Sequence, residues 1–216
     1  MTARLPPEQP GFAVLFTGIP GAGKSTLATA LAAVLRDRTG RGVTVIDGDA
    51  VRGQLSSDLG FSREDREINL RRIGFVAAAV VKRGGIALCA VIAPYAASRR
   101  ELRVTVEAYG GFAEVHVSTP LAVCEERDPK GLYAKARAGL IEGLTGLDGP
   151  YEAPVHPDLR IDTVGIAPDA VAQCVLASLE RLDMVPPNVG PDSRPHRWPV
   201  ASGNPSIWGK GVQSGR

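Results

Sequence analysis

Apolar residues fall in short unbroken runs at 12–17 (FAVLFT), 43–47 (VTVID), 86–92 (IALCAVI) and 112–118 (FAEVHVS), each bounded by Gly, Pro or charge. Such runs predict buried strands. The stretches between them carry helical periodicity instead. Leu27, Leu31, Val34 and Leu35 share one face of 25–38, Ile68, Ile73, Val76 and Val80 share one face of 63–82, and 97–109 reads as a third, charged helix. A short strand near 159–161 and a helix over 168–182 complete the pattern. Alternating strands and helices predict a mainly parallel α/β sheet covered on both faces, a three-layer sandwich with its ligands at the carboxyl ends of the strands. The less periodic stretch 127–157, rich in Gly and charge, predicts a lid over that edge.

A chain of 216 residues, 44% hydrophobic, holds one core of ordinary size. Residues 1–10 read as an N-terminal arm and 11–183 as the folded domain. From Met184 the composition shifts to six Pro and five Gly in 33 residues with no apolar period, so 184–216 reads as a tail without packed structure, and it holds Trp198 and Trp208. The formal charge of +2, from 25 basic and 23 acidic side chains, implies no bulk attraction to nucleic acid or to an anionic membrane. The N-terminus lacks a signal-peptide pattern and no apolar run approaches the ~20 residues of a membrane span, which points to a cytoplasmic protein. Cys89, Cys124 and Cys174 are odd in number and embedded in apolar sequence, so buried free thiols are expected. His116, His156 and His196 share no metal-ligand spacing.

Directly after the first strand comes GIPGAGKST, residues 18–26, which satisfies G-x-x-x-x-G-K-S and leads into a periodic helix. Gly18, Gly21 and Gly23 let the backbone turn with its N–H groups facing inward, where with Ala22 and Thr26 they would surround phosphate oxygens. Lys24 would reach the β and γ phosphates and Ser25 would ligate Mg²⁺. This context makes the sheet one of the P-loop NTPase type. No N-K-x-D guanine-reading stretch is present, so ATP is the expected nucleotide.

The second strand ends in IDGDAVR. If the backbone stays extended there, Asp47 and Asp49 point to the same side, one to hold Mg²⁺ and the other to accept a proton from an attacking hydroxyl. The alternative is a DG turn with Asp49 as a helix N-cap. Further on, Arg66 and Asn69 lie three apart on one helix face behind Phe61, a guanidinium, an amide and a ring suited to an anionic nucleotide. Arg63 and Glu67 are spaced to pair as i, i+4 on the solvated side.

Taken in order, GIPGAGKST, DGDAVR, LGFSREDREINLRRIG, IAPYAASRR, CEERDPKGLYAKARAG and TGLDGPYEAP resemble the adenylylsulfate (APS) kinases of sulfate activation, from about Gly11 to Thr163. The resemblance implies transfer of the ATP γ-phosphoryl group to the ribose 3′-hydroxyl of adenosine 5′-phosphosulfate, giving 3′-phosphoadenosine 5′-phosphosulfate and ADP. It further implies that Asp49 and Arg52 contact the acceptor, with Asp49 orienting or deprotonating its hydroxyl, and that Phe61 stacks on the acceptor adenine. Arg66 and Asn69 would hold the phosphosulfate and ribose, Ile92 and Ala93 would line the site, Lys130 would bridge to the transferring phosphate, and Arg127 would lie against the ATP adenine. Relatives often dimerise or work beside a sulfurylase, so a homodimer and a sulfurylase partner both enter as expectations.

Three positions depart from the family pattern. Ala93 stands where Ser is common, which excludes a phosphoserine intermediate there and leaves direct in-line transfer. Ala96 replaces an Arg, while Arg99 remains. Leu144, after Gly143 in EGLTG, stands where a Phe usually forms the second face of the clamp on the acceptor base, and loss of ~1–2 kcal/mol of stacking implies roughly 5- to 30-fold weaker acceptor binding.

Overall fold

The computed structural model describes residues 10–187; the expected arm before residue 10, and Trp198, Trp208 and His196 in the expected tail, lie outside the described residues. Five strands, β1 (Phe12–Thr17), β2 (Val43–Asp47), β3 (Ile86–Ala90), β4 (Gly111–Val117) and β5 (Leu159–Ile161), form one sheet in the order β2-β3-β1-β4-β5. All four pairings are parallel. The chain runs from β1 out to the edge at β2, returns to β3, then crosses to β4 and β5. That reversal on either side of β1 opens a crevice at the carboxyl ends, where α/β folds gather ligands.

β1 is buried along its whole length and feeds both faces by its two-residue alternation. Phe12, Val14 and Phe16 pack with Leu27, Leu31 and Leu35 of α1 (Lys24–Thr39) and with Val171, Val175 and Leu179 of a C-terminal helix, Pro168–Arg181. Ala13 and Leu15 pack on the opposite side with Leu70, Ile73, Ala77 and Val81 of the long helix Arg63–Lys82 and with Leu102 and Val106 of the helix Ala96–Glu107. Numbered in chain order, these are α3 for Arg63–Lys82, α4 for Ala96–Glu107 and α7 for Pro168–Arg181, with α2 (Gly48–Gln54), α5 (Leu121–Arg127) and α6 (Leu132–Arg137) as short helices over the carboxyl edge.

Three expectations need correction. The buried face of α3 is Leu70, Ile73, Gly74, Ala77, Ala78 and Val81, one step round from the expected face; Ile68, Val76 and Val80 are only half-buried. α4 packs over this stripe, where a Cβ at Gly74 would be in ordinary contact with Leu102 Cγ at 3.6 Å. Cys174 is exposed on α7, whereas Cys89 and Cys124 are buried and burial pushes the Cys89 thiol up to about 12. Finally, Val185 is 1% exposed and packs with the α1/α7 core, while the Pro186 carbonyl accepts from Arg38, so the folded part runs past residue 183.

Candidate active site

The phosphate loop is forced into shape by what surrounds it. Gly21 has φ 74° and a Cβ there would lie 2.7 Å from the Cys124 carbonyl oxygen; Gly23, the N-cap of α1, has φ 101°. Both conformations are open to glycine and costly for other residues. The turn aims the first N–H groups of α1 outward, and Gly21, Gly23, Lys24, Ser25 and Thr26 all line one cavity of about 760 Å³. Of the expected phosphate-loop residues, Gly18 and Ala22 do not line it. Ala22 is instead buried in the core, its N–H bonded to Ile19 O and its carbonyl accepting from the Thr119 and Thr163 hydroxyls. Lys24 folds back to donate to Ile19 O at 2.8 Å, and burial pulls its pKa down to about 8.

Asp47 ends β2 and caps α2, its Oδ1 accepting the Asp49 N–H at 2.9 Å while its Oδ2 accepts the Ser25 hydroxyl at 2.5 Å. β3 intervenes between β1 and β2, so the contact spans two strand positions of the sheet. Neither sequence-level picture of the pair is right in detail. The backbone turns helical after Asp47, placing Asp49 in the first turn of α2 rather than on a continuing strand, and the cap is Asp47, not Asp49. Asp49 is exposed and forms an ion pair with Lys130 from the α5–α6 connection.

Across the cavity, Ser62 caps α3 by accepting the Asp65 N–H. This fixes the entry of the helix, and with it Phe61, which is 70% exposed despite its size. The Arg52 guanidinium lies 4.5 Å and that of Arg66 5.7 Å from the Phe61 ring centre, and Arg66 also donates to Phe61 O and Gly143 O. Burial lowers the pKa of both guanidiniums, a cost that an anionic ligand would offset. Asn69, 7% exposed, also lines the cavity, and its Oδ1 has no hydrogen-bond partner among the described residues. Ile92 and Ala93 close this end together with Gly143 and Leu144. Leu144 is only 8% exposed and packs into the α1/α7 core, so the cavity presents one aromatic face here, Phe61. Arg63 pairs with Glu67 as expected and also lies over Tyr95.

Arg127 ends α5 and is held by Thr163, donating to its hydroxyl at 2.8 Å and to its carbonyl at 3.1 Å. Thr163, Ile166 and Pro168 line this end of the cavity. The sequence reading missed these three, and Tyr133, whose buried hydroxyl donates to Pro20 O at 2.9 Å and so ties α6 to the phosphate loop. An aromatic inside the lid motif KGLYAKAR was the available signal. The cavity thus runs from Arg127 past Lys24 and Ser25 to Asp49, and on to Phe61 and Asn69.

The family model for adenylylsulphate kinase matches residues 10–162, most of the described chain. The chain belongs to the adenylylsulphate kinase family. An adenylyl-sulfate kinase of Synechococcus sp. (strain JA-3-3Ab) is 50% identical over 165 residues, 76% of this chain and 90% of that one. A solved APS kinase of Mycobacterium tuberculosis, in complex with AMPPNP and APS, superposes with a TM-score of 0.76 at 45% identity, covering 80% of this chain and 99% of the other. A sulfate adenylyltransferase of Phaeosphaeria nodorum is 52% identical over 158 residues, 73% of this chain, but the chain spans only 28% of that protein's length. Among the described residues no helix is long and apolar enough to cross a membrane.

Proposed function

We propose that the chain transfers the γ-phosphoryl group of ATP to the ribose 3′-hydroxyl of adenosine 5′-phosphosulfate. The observation that carries this reading is a single cavity with a phosphate loop at one end, an exposed ring flanked by two guanidiniums at the other, and the Asp49–Lys130 pair between them. The main-chain amides opening α1 and the Lys24 ammonium would grip the triphosphate, and Arg127, held in plane by Thr163, would cover its base. Phe61 would take the acceptor adenine, with Arg52, Arg66 and Asn69 on its ribose and phosphosulfate.

The 3′ oxygen attacks the γ phosphorus in line, the bond to the β,γ-bridging oxygen breaks, and the hydroxyl proton passes to the Asp49 carboxylate as ADP leaves. Lys130, released from Asp49 toward the γ oxygens, would neutralise charge gathering there. Mg²⁺ fits this arrangement: Ser25 Oγ and Asp47 Oδ2 are hard oxygen donors that already converge beside the loop. Held by Ser25 and Asp47, the ion would supply Lewis-acid neutralisation of the phosphate charge that develops during transfer.

Activity in the cytoplasm, where ATP is at hand, and supply of the acceptor by a sulfurylase belong to the same proposal; the match to part of a sulfate adenylyltransferase supports the pairing. The test is product identity. With ATP, Mg²⁺ and adenosine 5′-phosphosulfate, ADP should form in a one-to-one ratio with a 3′-phosphorylated product; ADP formed at the same rate without acceptor would overturn the reading.

A further inference from the structure

Among the residues lining the cavity, one segment is held in an unusual backbone state. Ala93 has φ 46°, in the left-handed region that favours glycine, and yet it is 6% exposed at the cavity wall. Such a turn persists only when its surroundings over-determine it, and here they do. The Ile92 carbonyl accepts from the Thr17 hydroxyl at 2.6 Å, and Tyr151 in turn reaches Thr17 at 3.1 Å. The Ala93 carbonyl accepts from Arg99 Nη1 at 2.8 Å, and the Pro94 carbonyl accepts the Glu152 N–H at 2.8 Å. The Ala96 N–H, opening α4, donates to Glu152 Oε2 at 2.7 Å.

Two residues knit these bonds together. Arg99 is 4% exposed and uses its remaining nitrogens on Glu114 Oε1 at 2.7 Å and on the Glu152 carbonyl at 2.8 Å. Glu152, 56 residues further along the chain from Ala96, supplies the carboxylate that α4 lacks in its own first turn, so it acts as a distant N-terminal cap. Arg99, the arginine that remains at its expected place in IAPYAASRR, does not line the cavity. The N–H groups of Ile92 and Ala93 take no partner among the described residues. The clasp therefore consumes the polar groups around these two amides and leaves the amides themselves available.

We propose that Glu152 and Arg99 are positioning residues for the acceptor: they lock the 92–96 turn in its left-handed form so that the Ile92 and Ala93 amides are presented to the acceptor nucleotide. This rests on the reading of that end of the cavity as the acceptor site. Because Glu152 belongs to the same 127–157 stretch that carries Lys130, Gly143 and Leu144, the clasp also ties that stretch to the 92–96 turn.

The test uses the full chain with Glu152→Ala and Glu152→Gln. The side chain is exposed and its backbone bonds survive substitution, so both variants should fold, as circular dichroism would verify. The expected result for Glu152→Ala is an acceptor KM raised about 5-fold, the effect of losing one cap, with the ATP KM and kcat unchanged, and for Glu152→Gln a return to the parent value because the amide oxygen still accepts. An unchanged acceptor KM in Glu152→Ala, or equal rises in both KM values, would overturn the proposal. Should that variant not fold, Tyr151→Phe, which removes only the hydroxyl at Thr17, carries the same expected direction and the same refutation. Calorimetric binding of adenosine 5′-phosphosulfate in the presence of ADP separates the two levels. No binding by the parent chain defeats the substrate reading, whereas equal binding by parent and Glu152→Ala defeats only the clasp.

Discussion

Charge and ring placement at single residues make the strongest demands on the proposed chemistry. Phe61 is a large apolar side chain left open to solvent, a state that costs free energy until a base covers the ring. Base–ring stacking is worth ~1–3 kcal/mol, so Phe61→Ala should raise the acceptor KM about 5- to 150-fold with the ATP KM unchanged in steady-state assays. Asp49→Asn should cut kcat by about 10²- to 10⁴-fold if its carboxylate takes the hydroxyl proton, while calorimetry still detects ATP binding. Lys24 sets a pH limit. Burial favours its neutral form, so in the free enzyme it is cationic below about pH 8 and loses its charge as the pH rises through that value. kcat/KM for ATP should therefore fall above about pH 8, by up to roughly 10-fold per unit, whereas kcat at saturating ATP should hold further because bound phosphate keeps the ammonium charged. A flat kcat/KM profile from pH 7 to 10 would contradict this.

One short helix, α2, carries Asp49 into place. α2 exists because Asp47 caps it, and the same carboxylate reaches Ser25, so capping and metal binding are separable by substitution. Asn caps as well as Asp but lacks the charge. Asp47→Asn should keep the thermal midpoint near that of the parent while raising the Mg²⁺ concentration for half-maximal activity several-fold, read in a magnesium titration. Short helices were the elements least legible in the sequence. α2, α5 and α6, of seven, seven and six residues, are too short to display a helical period, and they are fixed by individual contacts such as Asp47 on α2 and Tyr133 on Pro20 O. The long elements showed their types plainly. On α3, however, the packed stripe was hidden because Gly74, Ala77 and Ala78, though buried, carry little hydrophobic signal.

The sheet order joins the two halves of the cavity. Motif spacing singled out the phosphate loop, Asp49 and the Phe61–Asn69 face, and the family resemblance singled out Lys130; all of these line the cavity. Thr163, Tyr133, Glu152 and Arg99 reach partners as far as 141 positions away in sequence, and no local pattern announces such partners. Cys174 and the extended fold boundary at Val185 were missed for a related reason: burial depends on which helix face meets the core and where the chain is retied, not on local apolarity. What unites these parts is the proposal that donor and acceptor share the one cavity lined by the phosphate loop, Asp49 and Phe61. The most direct measurement is a crystal structure with a non-hydrolysable ATP analogue, Mg²⁺ and adenosine 5′-phosphosulfate bound. It should place the ribose 3′ oxygen about 3–3.5 Å from the γ phosphorus, in line and within reach of Asp49, with the acceptor base on Phe61. An acceptor bound outside this cavity, or its 3′ oxygen turned away from Asp49 and the γ phosphate, would contradict the account.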